Sequence, residues 1–516
     1  MIEYHLEKYK ILFLMIFSNL KNIIRNNKIL LGSGALLGSG CFYNMNKKKY
    51  YTIEELEEHN KEGDIWVEHK RKIYNVSDFV NNHPGGKDKI LLAGGSSITP
   101  YWNLYKQHNT PEIDKILNQY FIGYLDPEET IDEDNYNHYI EDPIRHTNNF
   151  IHKKEPYNCE PFPQDLINDY LTPKNIWFIR NHHPVPKLDK DYSVKISGNG
   201  LTTINLSLED IKNKYHKKDI ISTIQCAGNR RKEFNNLEKT LGLNWNIGAI
   251  SNAKWSGISL KEVINDLKEN DQEFKNNKHI HFIGYDAPFA TSISIQDFLE
   301  DKVDILIAYE MNDLELQPDN GYPIRIIAPG YAGSKNVKWI KEIIFSHDEN
   351  DSNWQSGIAY KILPNFIKKV ENIDPKKIKN ISTIEKPPIQ SFICYPLNNS
   401  TFKINELENL KIKGIAYSGG GKNITKVEVS VDKINWLPVD LKSGADQNIN
   451  QAWAWTFWEY KLDKNITKNI IPGKYNIYVR AYDVNNEKQT DNLKQTWNLR
   501  GLNNNNYHNV ECKISR

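Results

Sequence analysis

Between Asp126 and Asp142 the chain carries eight Asp/Glu and neither Lys nor Arg. Like charges at that density repel, and the run has too few apolar side chains to offset the entropy of ordering it. No core can run through it, so it is expected to be a solvated linker between domains. At 516 residues the length corresponds to about three domains.

The flanks differ in pattern. Lys49 to Asp126 is a compact, mixed segment that opens with a capping box: Thr52 as N-cap and Glu55 three residues on. The region up to about Lys386 mixes strand and helix patterns. Beyond it, Lys426–Asp432 and Tyr475–Ala481 alternate with period two between Gly- and Asn-rich turns, which predicts a β-sandwich. Ser418–Lys422 is glycine-rich but lacks the phosphate-loop spacing and lies between strands, so it reads as a turn. Hydrophobic content of 39% and charged content of 25% fit a folded chain, and a net charge of +1 gives no global field for nucleic acid. The five cysteines are odd in number and far apart, matching neither a disulfide framework nor a zinc site.

The N-terminus stands apart. Residues 1–49 hold eight Lys/Arg and two Glu, and no acid occurs from Ile11 to Asn46. Such a leader reads as a mitochondrial address. Ile29–Tyr43 is a second apolar, Gly and Ser run of 15 residues, short of the roughly 20 that span a bilayer. Leader plus sorting segment is the pattern of proteins released into the intermembrane space. The mature chain is expected to have no stable membrane span.

Chemistry concentrates around Cys226. Ile220–Ile224 reads as a short strand that ends at Cys226, followed by the turn Ala227-Gly228-Asn229 and then Arg230-Arg231. Thiolate is a soft metal ligand, and arginine forks match oxyanions. A lone cysteine is more often a buried structural residue. Here the adjacent guanidinium groups favour a soft metal held beside an anion.

A second constellation lies upstream. Asn82-His83-Pro84-Gly85-Gly86 follows a short helical stretch, Val76–Val80; Pro84 stops the helix and the glycines turn the chain, leaving His83 on a rim. His108 follows 25 residues later. Two neutral imidazoles on opposite faces hold a heme iron six-coordinate, fit for single-electron transfer. His-Pro-Gly-Gly with this spacing resembles the cytochrome b5-like heme domain, and the resemblance makes His83 and His108 axial ligands of a heme b.

Further segments extend the likeness: Trp177–Pro186 with Arg180 and His182, Gly242–Ile250 with Trp245, Ala308–Asn312, Gly321–Arg325, Val337-Lys338-Trp339, Tyr360-Lys361 and Trp497–Gly501 with Arg500. In this order, with Cys226, they resemble the sulfite oxidase family of molybdenum oxotransferases over nearly the whole chain after the leader. The resemblance implies a multidomain chain. Its parts are an α+β cytochrome b5-like heme domain (49–126), an acidic flexible linker (127–155), a mixed α+β molybdopterin domain (156–385) and a C-terminal immunoglobulin-like β-sandwich for dimerisation (386–516), after a leader (1–48).

By the same resemblance Cys226 ligates molybdenum in a molybdenum-molybdopterin cofactor. Arg180, Arg231 and Arg500 bind the anion, Trp245 and Tyr360 complete the pocket, and His182, Asp286, Arg325 and Lys338 hold the cofactor. The implied activity is oxidation of sulfite to sulfate, with electrons leaving one at a time through the heme to cytochrome c, in a homodimer without nucleic acid.

Three departures stand out. Asn320 occupies a position where the family has histidine, Lys335 one where it has arginine, and the loop at Tyr285–Pro288 is short. Alternatives are a nitrate reductase-like molybdoenzyme and a heme carrier that has lost molybdenum catalysis. Against the first, the heme segment comes first here and no dinucleotide fingerprint follows residue 386. Against the second, Cys226 and all three arginines are retained. A β-sandwich adhesion module is disfavoured by Arg500, a pocket residue within the sandwich region.

Overall fold

The computed structural model describes residues 48–83, 86–104, 108, 110–129, 139–188, 191–286, 289–369, 373, 375–378, 380–462 and 470–516. The leader to residue 47, Pro84-Gly85, most of the acidic run and Ala287-Pro288 lie outside the described residues. Among the described residues no helix is long and apolar enough to cross a membrane.

Residues 50–516 form one compact unit. It begins with β1 (Tyr50–Tyr51), α1 (Ile53–Glu58), β2 (Asp64–His69) and β3 (Lys72–Asn75). Then come α2 (Lys87–Leu91), α3 (Thr99–Leu104), α4 (Pro111–Leu117) and β4 (Phe121–Leu125). The capping box forms as the sequence predicts: Glu55 N donates to Thr52 Oγ1 at 3.1 Å and Thr52 N to Glu55 Oε2 at 2.9 Å. Strand order is β1-β4-β3-β2. Ile65, Val67, Tyr74, Val80 and Trp102 pack beneath the sheet. The stretch before His83 is a 3-10 helix, Ser77–Asn82.

The expected linker, 127–155, is folded at its C-terminal end. β5 (Phe150–Lys153) pairs with β6 (Asn158–Glu160), which pairs with β7 (Ile179–Arg180). Arg145, half-buried, pairs with Asp319 at 2.7 and 2.9 Å and with Asp142 at 2.8 Å. The physical reason is composition: after Asp142 acids give way to Arg, His and apolar residues, which can bury.

The central part has two sheets. One runs β9-β8-β16-β12-β13, with β8 (Ser193–Gly198), β9 (Ile204–Ser207), β12 (His279–Gly284), β13 (Ala290–Ser294) and β16 (Ile340–Ser346). The other joins β10 (Lys217–Gln225), β11 (Ile250–Ser259) and β14 (Leu306–Met311), with β15 (Arg325–Ile327) also on β14. Their shared core holds Val194, Ile196, Ile258, Ile280, Phe282, Ile307 and Ile343.

The C-terminal part is two sheets around one core. One contains β17 (Gln390–Tyr395), β19 (Lys411–Tyr417) and β21 (Thr456–Lys461). The other contains β18 (Ser400–Lys403), β20 (Ile424–Ser430), β22 (Gly473–Asp483) and β23 (His508–Ser515). Ile393, Ile412 and Trp458 of the first face Val427, Val429, Val479 and Val510 of the second. Both alternating segments of the sequence are strands here, and Ser418–Lys422 is a turn with Gly420 and Gly421 at positive φ.

Candidate active site

Strand β10 ends at Gln225, so Cys226 begins the turn. Its N–H donates to Ala249 O at 2.9 Å, and Asn229 N–H returns to Cys226 O at 2.9 Å. This leaves the thiol at the junction of two clefts. Cys226, Arg180, His182 and Tyr360 line both.

The first cleft adds Lys89, Lys153, Arg231, Trp245 and Arg500 to that shared wall, and no carboxylate lines it among the described residues. The two arginines after the turn have different jobs. Arg230 is fully buried and forks onto Glu233 at 2.8 and 2.7 Å. Arg231 enters the cleft, with Nε on Arg500 O at 3.0 Å and Nη1 on Leu243 O at 2.7 Å.

Glycine makes the room. A Cβ at Gly228 would stand 2.3 Å from the Arg231 guanidinium, one at Gly242 2.9 Å, and one at Gly501 2.6 Å from the Arg231 side chain. Arg180 Nη1 donates to Asn158 Oδ1 at 3.0 Å, and Arg500 Nε to Ala359 O at 3.3 Å. Burial pushes Arg231 down to about 10; the Cys226 thiolate opposes that shift, while Arg500 and Arg180 add to it. Arg500 is lowered mainly by burial. Clustered, desolvated cations of this kind are relieved by a bound anion.

The second cleft adds Trp177, Asp286, Asp319, Arg325, Ser334, Asn336 and Lys338. Arg325 donates to Asn320 O and Asn336 O, both at 2.9 Å, and stacks on Trp255 at 4.8 Å. Its Nε is buried and has no partner among the described residues, and burial lowers the group to about 9. A buried guanidinium with an orphan donor fits a phosphate. Lys338 donates to Asp319 O at 3.0 Å and to Asn181 Oδ1, and burial takes it to about 7. Burial raises Asp286 to about 6, against the pull of Lys338 and Lys89. The thiol with these polar groups suits a sulfur-ligated metal on a phosphate-bearing organic cofactor.

Tyr360 hydroxyl lies 3.2 Å from His182 Nε2. Burial raises Tyr360 to about 12 and pushes His182 well below its ordinary value. At neutral pH both groups are therefore uncharged, and the tyrosine's one proton can go to His182 Nε2 or to an acceptor that enters the cleft.

Two departures resolve structurally. Asn320 serves through its backbone carbonyl, and its side chain is buried. Lys335 turns away from the cofactor cleft. Its fully buried ammonium donates to Thr291 Oγ1 at 2.7 Å, Ser292 O at 2.9 Å and Gln355 Oε1 at 2.7 Å. Three acceptors satisfy three protons, so lysine replaces a fork here without an orphan.

The two histidines upstream also meet. The His83 and His108 rings are 6.1 Å apart with planes 22° from parallel, too far to stack and wide enough to admit a metal between them. His83 Nδ1–H donates to Gly86 O at 3.0 Å, which leaves Nε2 as the lone-pair nitrogen. His83 borders a cleft whose opposite wall includes Trp354, Ala359 and Arg500. Lys89 bridges the two walls, reaching His183 Nδ1 at 3.2 Å and His182 O at 3.4 Å.

All twelve site residues expected from the sequence thus fall in these clefts or in the histidine pair. Sequence reasoning missed Lys153, Asn158, Ser334, Asn336 and the three glycines. Their signal in the sequence was slight: Asn336 stands two residues before Lys338.

Comparison with known proteins agrees with this geometry. The oxidoreductase molybdopterin binding domain matches residues 182–354, the Mo-co oxidoreductase dimerisation domain 381–515, and the cytochrome b5-like heme/steroid binding domain 52–126. A sulfite oxidase of Gallus gallus is 36% identical over 460 residues, covering 88% of this chain and 97% of that one. A mitochondrial sulfite oxidase of Homo sapiens is 34% identical over 500 residues, covering 94% and 89%. Among solved structures, the sulfane dehydrogenase SoxCD of Paracoccus pantotrophus shares the fold: TM-score 0.56 at 19% identity, covering 74% of this chain and 92% of that one. A third or more of the residues being shared along nearly the full length of a known enzyme, heme segment included, the chain belongs to the sulfite oxidase family.

Proposed function

We propose that this chain oxidises sulfite to sulfate in the cleft beside Cys226 and passes the electrons singly through a heme b held by His83 and His108 to cytochrome c. The chain is an oxidoreductase with molybdopterin-binding and heme domains. The observation that carries the reading is the acid-free cleft in which Arg180, Arg231 and Arg500 converge beside the thiol. When bound, the molybdenum cofactor supplies two-electron oxidation and the oxygen given to sulfur, and the heme supplies one-electron steps.

The chain's own residues do the rest. The three arginines hold the sulfite oxyanion with its sulfur toward Cys226. Tyr360, kept protonated, donates a hydrogen bond to a substrate oxygen. Trp245 closes one side against water. Arg325, Lys338, Asp286 and His182 hold the cofactor's phosphate and pterin, and Cys226 ligates the metal.

The domain limits follow the sequence reading, 49–126, 156–385 and 386–516, with the tether between the first two ending before Arg145. The C-terminal sandwich is immunoglobulin-like and pairs two copies of the chain through residues 381–515. The location is mitochondrial, as for the relatives so named, within the intermembrane space.

Metal analysis with an optical spectrum tests this reading. One molybdenum and one six-coordinate heme per chain, with sulfite-dependent reduction of cytochrome c, is the expected result. Heme without molybdenum would reassign the chain as an electron carrier.

A further inference from the structure

Behind the His108 imidazole lies a run of packed rings. Trp102 sits 4.7 Å from His108 with planes 23° apart, and the same indole meets His69 at 4.8 Å and 36°. Trp102 is 9% exposed and His69 3%. Neither is free to turn. The backbone of Trp102 is tied to Ile98 O at 2.9 Å and that of Ile98 to Glu68 O at 2.8 Å, so the helix α3 and the strand β2 carrying His69 are linked. A second tie runs from His69 Nδ1 to Thr99 Oγ1 at 3.2 Å, in the first turn of α3. His108 itself lies beyond the end of α3, so the ring behind it fixes what the backbone element does not.

We propose that Trp102, braced by His69, is a positioning residue that sets the plane of the His108 imidazole and so the electronic state of the iron held between His108 and His83. The proposal rests on the heme-clamp reading above. An axial imidazole overlaps the iron d orbitals through its π system, so the overlap depends on the ring's rotation about the iron–nitrogen axis. A neighbour that fixes this rotation tunes the metal without touching it. Near-parallel aromatic faces at this distance are an attractive, close-packed arrangement that resists rotation.

The test uses the full-length, heme-loaded protein and the variants W102F, W102L, W102A and H69Q. It reads the ferric electron paramagnetic resonance spectrum and the heme midpoint potential. W102F, which keeps a ring, is expected to match the parent. W102A and W102L are expected to shift and broaden the low-field feature and to change the ferrous-to-ferric ratio at a fixed poise by about threefold or more. H69Q should give a smaller change of the same sign.

Parental spectra and potential from W102L would overturn the proposal, and so would a W102F shift as large as that of W102L. W102L keeps an apolar side chain in part of the indole space without a ring, so the test stands even if W102A loses heme. A parent lacking a six-coordinate, low-spin heme would instead overturn the clamp reading.

Discussion

At the residue scale the site depends on where one guanidinium can lie. Arg231 occupies a slot that three glycines leave open, pinned by the carbonyls of Arg500 and Leu243. Gly228→Ala places a methyl group against that guanidinium without demanding an unusual backbone. The expected outcome is a KM for sulfite raised about 10- to 100-fold, with thermal stability nearly unchanged, as steady-state kinetics and melting curves would show. A large fall in melting temperature with an unchanged KM would contradict the slot.

Asp286 gives a pH prediction. Burial raises it from 3.8 to about 6, so the ionised form is penalised in the folded state. The penalty is absent below pH 4 and fully present above pH 6. Asp286→Asn is therefore expected to stabilise the cofactor-free protein by ~2 kcal/mol at pH 7 and by nothing near pH 4, as read by urea unfolding. The same variant should retain less molybdenum.

The residues that do chemistry were legible because their types are rare and their order is distinctive: a cysteine at a strand end, His-Pro-Gly-Gly, an arginine within a β domain. The division of labour between Arg230 and Arg231 was not. Adjacent side chains diverge by a backbone geometry, here a left-handed Arg230 at φ 65°, that composition does not encode. Lys335 was misleading for the same reason: its charge is visible in sequence and its inward direction is not.

At the scale of elements, loops at the site are held by buried carboxylates. Glu160 on β6 is 1% exposed and accepts from His152 Nε2 at 2.7 Å, from Asn246 N at 2.8 Å and from Gly248 N at 2.9 Å. His152 in turn meets the edge of Trp245 at 4.6 Å. One acid thus fixes the loop that carries Trp245 and braces its ring. Glu160→Ala strands several buried donors and is expected to cost ~3 kcal/mol of stability. Glu160→Gln keeps the shape and one acceptor, so it should fold and show a lower kcat/KM; chemical denaturation and kinetics on both variants separate the two effects. Strand periodicity was readable at β20 and β22, and the apolar run of β10 was readable as a strand. The pairing of Phe150–Lys153 with Asn158–Glu160 was not, since both segments are short and owe their place to partners such as Trp245 and Asn246 far along the chain.

At the scale of the whole molecule the histidine pair proposed to hold the heme borders the cleft proposed to take sulfite. The cleft bordered by His83 is walled on its far side by Arg500, and Lys89 spans the gap to His182 and His183. Arg500 comes from the last part of the chain, in the long connection between β22 and β23, so a C-terminal segment completes a cleft begun by the central sheets. The acidic run lies in sequence between these parts, which belong to one compact unit, residues 50–516.

Stopped-flow mixing of sulfite with the fully loaded protein, without any external acceptor, follows the path from substrate to heme directly. The account predicts that the heme of the parent becomes ferrous on mixing. In Cys226→Ser sulfite should leave the heme ferric while dithionite still reduces it. Reduction of the Cys226→Ser heme by sulfite at the parental rate would contradict the assignment of Cys226 and of the cleft beside it.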